Sequence, residues 1–342
     1  MGAGSFGTAV AVLLVRAGLR TTLLCRTVEQ AEELTRGRHN DRYLPGVELP
    51  RDLRIRPLAS GRDQLARSDL VFLAVPSKGL PDALAELNEL GVSAQAGIVS
   101  LAKGLVPPDG LSATVTLEAM FGSQRVACVG GPSHAREMVE SGAGLVCASR
   151  SEALAHGVAE AFQRAGVVCE VSDDPVGVEL AGVAKNAAAV AVGATQAQGL
   201  NAAGMAAADI FLEVLALARA SGGHARTFVG RAGTGDLVAT ALAPTSRNRS
   251  AGELLAEGVP ADEIAGRIGQ AVEALETVRL LAHAIERQRL EAPVVSALAR
   301  LIEGSMPLEE WIALVRAKQP PPARFSRPST WWARLRAWLR RR

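Results

Sequence analysis

Gly2-Ala3-Gly4-Ser5-Phe6-Gly7-Thr8 opens the chain directly after Met1, and its continuation decides the fold: an amphipathic stretch rich in Ala, Val and Leu to Gly18, then a β-prone run over 21–25. The order is loop, helix, strand. In a GxGxxG turn the first glycine allows the tight bend, the second lets a pyrophosphate approach the backbone, and the third lets helix pack on strand. The phosphates then rest on the helix N-terminus. The spacing alone is shared by many proteins. Here it is followed by short apolar runs at 70–75, 97–101, 126–129, 145–148 and 167–171, which read as buried strands separated by helical segments. The chain is therefore expected to be α/β, with a Rossmann-type dinucleotide-binding domain over residues 1–173.

One element of that pattern is missing. A first strand of roughly five or six apolar residues should precede the glycines, but only Met1 stands there. Either the sheet lacks its central strand, exposing the backbone of its neighbours, or the true start lies upstream; the second is the expectation. The tip of the strand after the glycine helix reads Leu24-Cys25-Arg26-Thr27, and the first acid is Glu29. Enzymes that take NAD place an acid on the ribose hydroxyls at this tip, whereas an arginine accommodates the extra phosphate of NADP. Arg26 thus predicts NADPH as the preferred cofactor with NADH as a second, the alternative being that it only faces solvent. Two later loops, Ser100-Leu101-Ala102-Lys103-Gly104 and Gly130-Gly131-Pro132-Ser133-His134-Ala135, end strands where the ligand crevice of an open parallel sheet lies. Both are also compatible with plain turns.

After residue 173 the strand-like runs stop, and helical patterns cover 176–198, 202–220, 251–257, 261–268, 272–287 and 294–302. Residues 174–319 are expected to form an all-α substrate domain, with Pro175 in the first turn of its long helix. Between 176 and 204 the only charged residues are Glu179 and Lys185. A lysine there is either paired in a dry site, where its altered pKa suits proton transfer, or it snorkels to the surface. Downstream, Asp236 and Thr240 precede Ser246-Arg247-Asn248-Arg249. An arginine beside Ser and Asn at a helix start offers a planar fork and free N–H groups to a phosphate monoester; the alternative is a helix cap beside a solvated face.

Composition excludes several classes. With 48% apolar and 21% charged residues the chain is an ordinary globular protein, and a net charge of +2, much of it from residues 323–342, leaves no nucleic-acid surface in the body. Cys25, Cys128, Cys147 and Cys169 form no CxxC and the histidines no HExxH, so no metal is expected and the cysteines suit a reducing cytoplasm. Residues 320–342 form a basic tail in which Trp331, Leu335 and Trp338 would share a helical face among arginines, a composition suited to an anionic membrane surface. A disordered basic tail is the alternative.

The ordered series Gly2 to Thr8, Asn40 with Tyr43-Leu44-Pro45-Gly46, Ala74-Val75-Pro76-Ser77, Lys103-Gly104, Gly131-Pro132-Ser133, Lys185-Asn186, Gly235-Asp236-Leu237 and Ser246-Arg247-Asn248-Arg249 resembles the bacterial NAD(P)-dependent glycerol-3-phosphate dehydrogenases, from residue 2 to about 317. The resemblance implies reduction of dihydroxyacetone phosphate to sn-glycerol 3-phosphate for phospholipid synthesis, by a cytoplasmic homodimer. It implies Lys185 as general acid/base, Asn186 beside it and Asp236 orienting it. It implies Gly2, Gly4, Ser5, Phe6, Gly7, Arg26, Lys103, Ala135, Arg247 and Glu273 at the cofactor. At the substrate it implies Lys103, Gly131, Ser133, Lys185, Asp236, Thr240, Ser246, Arg247 and Asn248. The segment 201–209 departs from the family's Thr-Ala-Leu-Ile-Thr-Arg-Gly character. Alternatives are a reductase of the same architecture, of the β-hydroxyacid dehydrogenase or ketopantoate reductase type, or a catalytically silent cofactor-binding regulatory protein.

Vesicles of anionic lipid are expected to float with the intact chain and not with a chain lacking 323–342. Equal flotation of both would remove the membrane reading of the tail.

Overall fold

The computed structural model describes residues 1–243, 246–317 and 338–339; all of the tail 323–342 except Trp338 and Leu339 lies outside them. The first half is an α/β domain. Its strands among the described residues are β1 (Thr22–Cys25), β2 (His39–Asn40), β3 (Leu44–Glu48), β4 (Arg54–Pro57), β5 (Leu70–Leu73), β6 (Gly97–Ser100), β7 (Val126–Gly130), β8 (Gly144–Ser149) and β9 (Val168–Ser172). β5-β6-β7-β8-β9 form one sheet, β1 pairs with β4 in parallel, and β2 with β3 forms a hairpin.

β1 and β5 are linked at the glycine loop. They do not pair with each other. Instead, Met1 and Gly2 bond to both: the Met1 amino group donates to Phe72 O (2.8 Å), Ala74 N to Met1 O (2.9 Å) and Gly2 N to Leu24 O (2.9 Å). Two residues thus tie the C-terminal ends of the two sheet fragments and set the glycine loop above them. Burial pushes the Met1 ammonium down to about 6.

Helices cover both faces of the main sheet. Leu13, Val158 and Phe162 pack on one side and Leu84, Leu87 and Leu117 on the other, each in its own buried cluster. β8 runs antiparallel to β7, unlike the all-parallel sheet expected. The helix between them, Ala135–Ser141, has seven residues and is too short to carry the chain back down the sheet for a parallel return. The strands absent from the sequence reading have weak signals. β3 contains Pro45 and Gly46, and β4 is an edge strand, Arg-Ile-Arg-Pro, that buries only Ile55.

The second half is helical, built around Pro175–Thr195. Most of this helix is buried, and its apolar length reflects a protein core: 83% of its most apolar window is covered by neighbours. It packs on Leu200–Ala220, whose Ala202, Ala203, Ala206 and Ala207 face inward, so the altered 201–209 segment still makes a close helix contact. It also packs on Arg247–Ala256, and small residues make that crossing close. A β-carbon on Gly193 would overlap Arg249 O, and one on Gly252 would overlap Val190 O. Buried acids tie helix starts together. Asp174 accepts from Gly177 N, His224 N and the Thr227 hydroxyl; Glu213 accepts from Val294 N and Val295 N. Glu179 accepts from Thr114 N (3.0 Å) and the Thr114 hydroxyl, joining the central helix to the α/β domain. Burial lifts Glu179 to about 7, against the hydrogen bonds that favour its charged form.

Gly252→Ala is expected to lower stability by about 1–3 kcal/mol, because the helices must part. Gly204→Ala, on a helix face with nothing within 4 Å, is expected to raise it by about 0.5–1 kcal/mol. Urea unfolding of the two variants checks both signs.

Candidate functional site

The C-terminal ends of β1, β5, β6 and β7 converge where the glycine loop turns into the helix Ser5–Arg16. Gly2 has φ +98°, and a β-carbon there would sit 2.6 Å from Ala74 O. A side chain on Gly7 would strike Gly2 O, so this glycine lets the helix close on the loop. Gly4 differs: nothing lies within 4 Å of its β-carbon position, and as the helix N-cap it supplies no side-chain cap. An open helix start beside a bare glycine fits the phosphates of a dinucleotide, with Ser5 and Phe6 in the first turn. Arg26 lies exposed just past β1, and Thr27 caps the next helix through Gln30 N. Ala135 begins the helix after β7, next to His134.

Across the cleft stand the charged groups. Asp236 begins the helix Asp236–Leu242 directly after a π-helical turn, Arg231–Gly235, in which Gly233 packs tightly on Phe228. Its carboxylate lies between two ammonium groups. Lys103 Nζ donates to Asp236 Oδ2 at 2.8 Å, and Lys185 Nζ stands 3.6 Å from Oδ1. Lys103 also donates to Gly131 O (2.8 Å) and the Ser133 hydroxyl (2.9 Å), and lies 5.9 Å above the Phe6 ring. Lys185 donates to the Thr240 hydroxyl (3.2 Å), and only 11% of its side chain is exposed. Asn186 donates to Lys103 O (2.9 Å) and accepts from Asn248 Nδ2 (2.8 Å). The structure thus brings Lys103, Gly131, Ser133, Lys185, Asn186, Asp236, Thr240 and Asn248 into one network.

Desolvation is the main cause that lowers Lys185, to about 8; Asp236 opposes it, while the charges of Lys103 and Arg247 add to it. Burial works to raise Asp236, but Lys103 and Lys185 outweigh it and hold the carboxyl below its usual range. Lys185 therefore does not snorkel. It is a dry cation with a partner.

Other candidates stand nearer the rim. Ser246 caps the helix Arg247–Ala256 through Arg249 N, and Arg247 is exposed, donating to Gln270 Oε1 and Ala271 O at 3.2 Å. Ser246 thus serves as a helix cap in this structure, at a helix start that faces the cleft. Glu273 accepts from Ser77 N at 2.8 Å, clasping the turn after β5. Two residues of this region went unassigned in the sequence reading. Ser77 is buried, and its hydroxyl has no hydrogen-bond partner among the described residues. His134 Nε2 lies 3.4 Å from Ala239 O, and its proximity helps hold the Asp236 carboxyl down. Ser77 stands in the series that carries the family resemblance and His134 in the loop at the expected ligand crevice, but nothing in the sequence assigns either a role of its own.

The chain as a whole is similar to known proteins. A family model described as NAD-dependent glycerol-3-phosphate dehydrogenase N-terminus matches residues 1–155, and its C-terminus counterpart matches 174–313. A protein of Deinococcus radiodurans named glycerol-3-phosphate dehydrogenase (NAD(P)+) is 39% identical over 312 residues, covering 89% of this chain and 90% of its own. One of the same name from Parafrankia is 36% identical over 326 residues, covering 94% and 96%. The crystal structure of glycerol-3-phosphate dehydrogenase from Coxiella burnetii superposes with a TM-score of 0.85 at 28% identity, covering 93% of this chain and 97% of that one. This chain belongs to the NAD-dependent glycerol-3-phosphate dehydrogenase family.

Proposed function

We propose that this chain reduces dihydroxyacetone phosphate to sn-glycerol 3-phosphate with NAD(P)H, supplying phospholipid synthesis. Residues 1–173 form the dinucleotide-binding domain and 174–319 the helical substrate domain, and both contribute side chains to the cleft between cofactor and substrate. The observation that carries the reading is Asp236 bonded between Lys103 and Lys185 at the mouth of the glycine cradle. Family membership supports it over a reductase of keto acids or a silent regulatory protein.

The cradle formed by Gly2, Gly4, Ser5, Phe6 and Gly7 fits the dinucleotide, with Arg26, Ala135, Arg247 and Glu273 at its edges. A nicotinamide held there would supply the hydride for the ketone carbon. Lys185 then acts on the oxygen: its ammonium hydrogen-bonds the carbonyl, stabilises the charge that grows there and delivers the proton. Asp236 and Thr240 orient that ammonium, and Lys103 adds a second positive charge. One carboxylate between two ammonium groups leaves the site net positive, which favours an anionic substrate. Ser246, Arg247 and Asn248, with Gly131 and Ser133 opposite, take the substrate's phosphate and fix the carbonyl near Lys185. In this reading the Arg247 guanidinium swings from Gln270 and Ala271 onto the phosphate. We further propose NADPH as the preferred cofactor on the strength of Arg26, a homodimeric cytoplasmic enzyme, and contact of residues 323–342 with anionic membrane.

NADPH oxidation is expected with dihydroxyacetone phosphate and not with ketopantoate or short β-keto acids; turnover of the keto acids alone would overturn the reading. Lys185→Ala should cut kcat by about 10²–10⁴-fold. Reduction needs the protonated lysine, so its rate should fall as pH rises through about 8, while the reverse oxidation gains. Asp236 raises the Lys185 pKa, so Asp236→Asn should move this limb to lower pH. A pH profile unchanged in that variant would remove the assigned partnership.

A further inference from the structure

The glycine loop is held from outside the motif chiefly by one buried side chain. Asn40 is buried, 4% exposed. Its Nδ2 donates to Ala3 O at 3.1 Å and to the Thr8 hydroxyl at 2.8 Å, reaching both the loop and the first turn of the helix Ser5–Arg16. Thr8 is wholly buried, so no water replaces this bond. Gln30 Nε2 approaches the same Ala3 carbonyl at 3.4 Å. The chain delivers Asn40 by a sharp device. The helix Val28–Gly37 begins at the Arg26-Thr27 tip and ends at Arg38, whose φ is +52°; this left-handed turn sends His39–Asn40 back under the loop. The Arg38 guanidinium bonds Leu53 O at 2.9 Å and helps fix the turn. Register slips between His39 and Asn40 in the hairpin, and Tyr43 N closes on Asn40 O, so backbone bonds at this spot pin the asparagine.

We propose that Asn40 is a positioning residue for the cofactor cradle, in a reading that rests on the dinucleotide assignment above. In a planar trans peptide the Gly4 N–H points opposite to the Ala3 carbonyl. By drawing that carbonyl inward, Asn40 turns the Gly4 N–H away from itself. The uncapped helix start is thereby presented in one orientation for the phosphates, with no side chain of the loop available to do so: Gly2, Ala3 and Gly4 carry none with a polar atom. An aspartate at this position has the same shape but cannot donate to Ala3 O and adds a negative charge, whereas an alanine removes the hydrogen bond without adding charge. The two variants together separate the lost bond from packing and from charge.

Fluorescence titration of the full-length wild type and of Asn40→Asp with NADPH, without substrate, tests the assignment. The variant is expected to bind roughly tenfold more weakly, the scale of one lost buried hydrogen bond. Its kcat at saturating NADPH and its KM for dihydroxyacetone phosphate should stay within about twofold of wild type, since Lys185 and the phosphate site lie elsewhere. Asn40→Ala should show the same split, and thermal unfolding of each variant monitors the fold. Binding by Asn40→Asp within about twofold of a tightly binding wild type would overturn the role of Asn40 alone. So would a fall in kcat that parallels lost stability, with NADPH affinity unchanged. A wild type that binds neither NADPH nor NADH would instead sink the cofactor reading and this inference with it.

Discussion

One carboxylate serving two lysines is the constraint on which the site depends. Lys103 comes from the loop after β6 in the α/β domain, while Lys185 and Asp236 come from helices of the second domain. Burying two cations is costly without an anion, and Asp236 alone cannot neutralise both. The residual positive charge has a cost to the resting fold and is relieved when an anion enters. Burial above all, with the neighbouring Lys103 and Arg247 charges adding to it, lowers Lys185 to about 8, where an ammonium gives up its proton readily. Stability and chemistry pull in opposite directions at this point, as expected where a local rule is broken for function.

What permits the arrangement is small-residue packing behind it. Lys185 sits on a helix made mostly of alanine, valine and glycine, so neighbouring helices come near enough to aim Thr240 and Asn248 at its polar face. Gly193 and Gly252 allow the closest of these approaches. Larger residues would widen the crossing and carry Asn248 out of reach of Asn186, breaking the link that continues to the Lys103 carbonyl. Buried acids at helix starts do the complementary work: Asp174, Glu179 and Glu213 each satisfy N–H groups that would otherwise be left unpaired in a dry interior.

The α/β half was legible because its strands are short, apolar and evenly separated, and the helical half because its periodicity is strong. The glycine loop, Lys185 and the arginine-asparagine pair were visible as residues whose chemistry is hard to explain by packing. The hairpin and β4 were hidden, since a two-residue strand, a Pro-Gly pair and an Arg-Ile-Arg edge carry little hydrophobic alternation. The reversal at β8 was hidden too, because strand direction leaves no mark on composition. The turn that raises Asp236 is a π-helical segment rich in glycine, which local propensity reads as a loop.

By itself, the sequence determined the dinucleotide cradle, the two-part organisation and the identity of the lysine that stands apart, because glycine spacing, periodicity and an isolated charge are local properties. It could not decide which acid meets which cation. Lys103 and Asp236 are 133 residues apart and bond at 2.8 Å, a pairing set by how the helical half docks on the C-terminal ends of the strands. Nor could it show that Asn40, 37 residues beyond Ala3, steadies the glycine loop, or that Met1 and Gly2 join two sheet fragments through their backbone. These are choices of geometry between distant segments, and only the packed chain makes them.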